Sequence, residues 1–217
     1  MLLLLLGCVP AGVYGLRFDG SMPVNSEFAA VGGVFPGSTG KDLPLGDTLV
    51  TGLQVRQRVT RDVAVEVAGG VAPASGEDAL AGSVEIEVQG RILRDAPVTV
   101  SLTGGLNAYG QVDADSLMFG ADVGAVVSRG LPGDLRPFAA VKLNPMYAPG
   151  DGIYPWFQYG GGLSWRPELV EGTRGLVALE ASGYHGFGAN VLDDTDIVTW
   201  GVMMQLGASF GSGRSQE

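Results

Sequence analysis

The chain has 217 residues, a length that suits one domain, and its net charge of −10 excludes the basic footprint that nucleic-acid binding needs. Only 17% of its residues are charged, it carries 36 glycines, which disfavour a helical protein, and it has no apolar run of ~18 residues, which excludes a transmembrane helix. One cysteine, Cys8, and one histidine, His185, exclude an intramolecular disulfide and a cysteine zinc site and leave little for a histidine-rich metal site.

Met1–Leu6 is an unbroken apolar run followed by Gly7-Cys8, which reads as a targeting signal within residues 1–15. Leu5-Leu6-Gly7-Cys8 resembles the bacterial lipobox, whose cysteine becomes the lipidated first residue after cleavage. That resemblance implies a lipid on Cys8, and ordinary cleavage near Ala11–Gly15 is the alternative. Residues 16–26 are a lead-in.

From there to residue 210 the pattern is alternation with a period of two, the mark of strands. Ten strands are expected, near Glu27–Phe35, Asp47–Val59, Asp62–Ala72, Gly82–Ile92, Pro97–Gly110, Leu117–Ser128, Pro137–Tyr147, Tyr154–Arg166, Gly175–Tyr184 and Ile197–Phe210. Most have the length needed to cross a bilayer at a tilt.

The connections alternate in length. Short ones are Thr60-Arg61-Asp62, Leu93–Ala96 and Arg129–Arg136, with Pro167–Arg174 intermediate. Long ones are Pro36–Gly46, Pro73–Ala81, Gln111–Ser116, Ala148–Ile153 and His185–Asp196. Strict alternation puts every long loop at one end and both termini at the other, the outer-membrane pattern of periplasmic turns and extracellular loops. Charge divides the same way. The long loops hold Asp42, Asp47, Glu77, Asp78, Asp113, Asp115, Asp151, Asp193, Asp194 and Asp196 against the single base Lys41, while Arg61, Arg94, Arg129, Arg136, Arg166 and Arg174 mark the short-turn end. The acidic loops thus offer a rim for an external ligand.

One face of the strands is charged. Val59 opposite Val63 requires a three-residue turn, which sets Arg58 against Ala64 and Arg56 against Glu66. Glu85, Glu87, Gln89 and Arg91 follow on the next strand, then Thr99, Ser101, Thr103, Asn107, Asp122, Lys142, Gln158, Glu180 and Gln205. Opposite charges in register suit a packed polar lumen. The other face carries Leu102, Leu106, Phe119, Val123, Phe157, Tyr159, Leu163, Trp165, Trp200, Val202, Met204, Leu206 and Phe210, and its Tyr and Trp near strand ends match interfacial girdles. The same alternation turned inside out would make a soluble or lipid-tethered periplasmic barrel or sandwich binding an apolar ligand.

The last strand ends Met204-Gln205-Leu206-Gly207-Ala208-Ser209-Phe210. It resembles the C-terminal strand of bacterial outer-membrane barrels, which closes with Phe as an assembly signal; here residues 211–217 follow it as a flexible tail. The resemblance covers about residues 27–210 and is one of architecture. It implies an all-β, closed, antiparallel up-and-down transmembrane barrel of about ten strands (eight to ten) in the bacterial outer membrane, with outer-membrane lipids and the barrel assembly machinery as partners.

Chemistry is sparse. The ten-stranded omptin proteases resemble the chain in strand count and use paired acids with an Asp-His pair. Asp113 and Asp115 form an Asp-x-Asp, but no Asp-x-His is present. Barrel lipid A deacylases use a Ser-His-Glu set; Ser182, His185 and Glu180 are close in sequence, yet His185 lies past the end of their strand. Asp193, Asp194 and Asp196 are weak calcium candidates, a solvated acidic loop being the plainer reading, so no metal site is expected. Gly160-Gly161-Gly162 has no strand-to-helix context for a phosphate loop and reads instead as room for Tyr159 and Trp165 to pack or as a strand bend. No cofactor and no catalytic residue are expected. The expected role is structural or a surface interaction, with a narrow solute channel, the periplasmic binder and a membrane-embedded hydrolase as alternatives.

Overall fold

The structure, a computed structural model, describes residues 19–35, 48–73, 80–93, 97–111, 117–150, 152–186 and 197–211. Cys8, most of the long loops, with Asp113, Asp115, Asp193, Asp194 and Asp196, and residues 212–217 lie outside these.

Among the described residues every regular element is a strand: β1 (Ser26–Phe35), β2 (Thr48–Arg58), β3 (Val63–Pro73), β4 (Leu80–Leu93), β5 (Thr99–Gln111), β6 (Leu117–Ser128), β7 (Leu135–Ala148), β8 (Gly152–Trp165), β9 (Glu168–Val170), β10 (Thr173–Gly186) and β11 (Ile197–Phe210). Neighbours pair antiparallel from β1 to β8, then β8 with β10 and β10 with β11. β11 returns to β1, Ser26 facing Phe210, so ten strands form a closed wall. Closure leaves each of these ten strands paired on both sides, which a strand in hydrocarbon requires. The rings of Phe28 and Phe210 meet across this seam with centroids 6.3 Å apart.

The turn after β2 has Val59 N–H donating to the Val63 carbonyl at 2.9 Å, and Arg56 faces Glu66 in the register that this turn dictates. The stretch Pro167–Arg174, expected as a plain connection, is a hairpin: β9 pairs with the start of β10 across Gly172, whose φ of 76° is left-handed. The short turns are knit into one end. Arg91 N–H donates to Asp62 O at 2.8 Å, Arg166 N–H to Asp134 O at 3.0 Å and Gly211 N–H to Gly172 O at 2.9 Å.

Alternation sorts the side chains. Leu53, Leu106 and Ile153 are 69%, 68% and 67% exposed on the outer wall, whereas Arg56, Glu87 and Gln89 are 0% exposed in the lumen. The apolar face is therefore outward, and the soluble binder with an apolar interior is ruled out: its pattern is this one inverted. Small residues make room for large ones. Ala64 pairs with Gln89 and Ala68 with Glu85, so a large side chain fills the space beside a small one.

Gly160 and Gly162 of β8 face the lumen and Gly161 the outer wall, and all three are crowded by the neighbouring strands rather than by Tyr159 and Trp165. A β-carbon on Gly162 would strike the Leu179 carbonyl and stand 2.8 Å from the Phe138 ring, and one on Gly161 would stand 2.5 Å from the Phe138 carbonyl. The residue that yields to Tyr159 is Gly183, where a β-carbon would lie 2.8 Å from its ring.

Candidate functional site

The lumen is layered along the barrel axis. At the short-turn end the lead-in folds into the mouth and buries Asp19 and Ser21. The Asp19 carboxylate turns on itself, accepting from Ser21 N–H at 2.9 Å and Ser21 Oγ at 2.5 Å, and also accepts from Ser164 Oγ at 2.5 Å and Arg166 Nε at 2.6 Å. Arg166 reaches on to Glu27 through Nη1. Glu27 in turn accepts from Arg56 Nη1 at 2.9 Å. Arg56 Nη2 donates to the Ser21 carbonyl at 2.9 Å and to Gln89 Oε1 at 2.5 Å, while its Nε stands 3.8 Å from Glu66. Gln54 Nε2 donates to Glu66 at 2.5 Å.

Burial alone would raise the Asp19 carboxyl, but the Arg166 charge and the donors around it outweigh that and hold it well below the usual carboxylate range. Burial likewise opposes the charge on Arg166, and Asp19 with Glu27 more than restores it, so its proton is held more tightly than in water.

The middle layer centres on Lys142. Its Nζ lies 3.0 Å from Glu85 Oε1 and 3.6 Å from Asp122 Oδ1 and also contacts Glu87. The oxygens of Glu85, Glu87 and Asp122 lie within 4.8 Å of one another, a hard-oxygen set, and the ammonium stands where they converge. Asn107 Nδ2 donates to Asp122 at 3.3 Å and to Asn144 at 3.2 Å, and Ser182 Oγ contacts Glu180. The long-loop half is apolar and closely filled: Val31, Val50, Tyr109, Met118, Met146, Tyr184 and Met203 cluster with Tyr154 and Trp156 packed against them. Gln158 links the two halves by donating to Tyr184 OH at 3.1 Å.

Of the residues expected in the lumen, Arg56, Glu66, Glu85, Glu87, Asp122, Lys142 and Glu180 are buried there. Arg58 and Arg91 sit at the mouth instead, half-buried. Each is the last inward position before a turn, so Arg58 bonds the Thr60 and Val24 carbonyls and Arg91 bonds Asp62 at 3.2 Å. Ser182 and Glu180 share the lumen face, but His185 is an odd number of residues away and sits on the opposite face of β10, so a Ser-His-Glu set is not assembled.

Sequence reasoning missed Asp19 and Glu27, and it set Arg166 at the short-turn end without these partners. Glu27 was open to it, two residues before Ala29 and four before Val31 on one face. Asp19-Gly20-Ser21 carries only the signature of a local turn.

At the mouth a cavity of about 920 Å³ is lined by the lead-in and the short turns, among them Arg58, Arg61, Arg91, Arg136, Arg166 and Arg174.

No protein-family profile matches the sequence, and no curated protein sequence matches it either. Solved structures do match. LpxR from Salmonella typhimurium superposes over 86% of this chain and 85% of its own, with a TM-score of 0.51 at 8% identity. The β domain of the Bordetella autotransporter BrkA covers 86% and 100% at 0.49 and 15% identity, and the outer membrane protease OmpT from Escherichia coli covers 89% and 99% at 0.42 and 8%. At such identities the likeness shows the fold alone, a closed antiparallel β-barrel.

Proposed function

We propose that this protein is a closed, non-enzymatic barrel of the bacterial outer membrane whose interior acts as structural filling and whose long acidic loops face outward for surface interaction. One observation carries the reading. Both halves of the lumen are filled by buried side chains, a hydrogen-bonded charged half and an apolar half rich in Met and Tyr. A channel needs a wetted path from end to end, and an apolar constriction resists wetting. In this reading both termini lie on the periplasmic side with the short turns, a lipid on Cys8 would sit in the inner leaflet, and the wall contacts outer-membrane lipids after delivery by the assembly machinery. LpxR and OmpT are enzymes on the same architecture, and fold likeness carries no activity to this chain.

Planar-bilayer recording tests the sealed lumen: no large stable steps are expected, and such steps would overturn it. Insertion is tested by fractionation and gel mobility. The folded protein should require detergent for extraction and migrate differently before and after heating; release without detergent and unchanged mobility would exclude the membrane.

A further inference from the structure

We propose that the arginine-lined vestibule at the short-turn end is a binding site for a phosphate group. Its floor is cationic and its rim acidic. Arg58, Arg91 and Arg136 are half-buried and Arg166 is buried, whereas Asp134, Glu168 and Glu171 are exposed at the edge, where water screens them. Arg136 is the informative member. Arg91, Arg166 and Arg174 all act on its guanidinium as like charges, opposed by Asp19, which Arg166 already engages. Its one side-chain hydrogen bond among the described residues goes to Ser128 Oγ at 3.4 Å, the far limit of such a bond. Arg174, exposed and opposite Glu168 in the strand register, makes no side-chain hydrogen bond or ion pair among the described residues, so two guanidinium forks line this concavity with no carboxylate bonded to either. Gathering like charges around the half-buried Arg136 is costly unless an anion lies among them.

A phosphate suits the place better than a single carboxylate. It carries up to two charges and several acceptor oxygens, and planar guanidinium forks grip them in pairs. The group has two sources, free phosphate entering from the aqueous side or the headgroup of an anionic phospholipid.

The barrel, folded in an uncharged detergent, is titrated with inorganic phosphate and followed by phosphorus NMR. In parallel it is reconstituted in phosphatidylcholine vesicles with and without phosphatidylglycerol, and native mass spectrometry measures the phosphatidylglycerol retained. Saturable phosphate binding weakened roughly tenfold or more in Arg136→Gln/Arg174→Gln identifies free phosphate as the source. Phosphatidylglycerol retention lost in that double variant identifies the lipid headgroup. Absence of both signals, or either one unchanged in a double variant that keeps its heat-modifiable mobility, overturns the site. Glu171→Gln, on the exposed rim where folding is not at risk, should tighten whichever binding is seen; weaker or unchanged binding counts against the site.

Discussion

Arg56 has two acids within reach and holds them unequally, Glu27 at 2.9 Å with a hydrogen bond and Glu66 at 3.8 Å without one. Exchanging the charges of Arg56 and Glu66 would therefore set a carboxylate against Glu27. The double reversal should rescue neither single change in urea unfolding of the folded barrel, and full rescue would show that the Arg56–Glu66 pair acts alone. Arg56→Met strands Glu27 and Glu66 with less cationic compensation and should cost about 3–5 kcal/mol in the same measurement. Asp19 gives a pH signature. Its folded-state pKa is depressed below the ordinary 3.8, so its stabilisation is complete above that value and is lost as pH falls through the depressed folded value. The stability difference between the wild type and Asp19→Asn should be constant near neutrality and shrink in strong acid; a difference that grows on acidification would contradict the Asp19–Arg166 contact. The Arg56–Glu66 pair was legible beforehand, but the Asp19–Arg166 contact was not, because the two residues are 147 positions apart and no local pattern links them.

Within the strands, the two faces answer differently to substitution. Gly162→Ala drives a β-carbon into the backbone of β10 and the Phe138 ring, whereas Gly183→Ala meets only the ring of exposed Tyr159, which can turn away. The first should cost about 1–3 kcal/mol and the second clearly less, read from unfolding midpoints. Leu106, 68% exposed in the middle of β5, gives a sharper contrast. At the surface of a soluble protein, Leu106→Arg would be nearly neutral; on a lipid-facing wall it should cost about 2–4 kcal/mol when folding is measured in vesicles. The strands were readable because each turn and each alternation is set by neighbours in sequence. The hairpin at β9 was not, because Glu168–Val170 is too short to show a period and depends on the left-handed Gly172 and pairing with β10.

For the molecule as a whole, in the proposed reading the lumen has two separate seals, one in each filled half. Asp19→Ala with Arg166→Ala should loosen the mouth yet leave bilayer conductance without large stable steps, because Met146, Tyr184 and Met203 still fill the other half; a steady open pore in that variant would mean the apolar half does not close the path. The sequence by itself determined the strands, their two faces and the Arg56–Glu66 register, since a period of two and a three-residue turn act within one or two neighbouring strands. Which face looks outward, and which charges meet inside, were decided only when β11 paired with β1. Closing the sheet brings Lys142 to Glu85 and Arg166 to Asp19 across the interior, and contacts across a ring depend on its curvature rather than on any one strand.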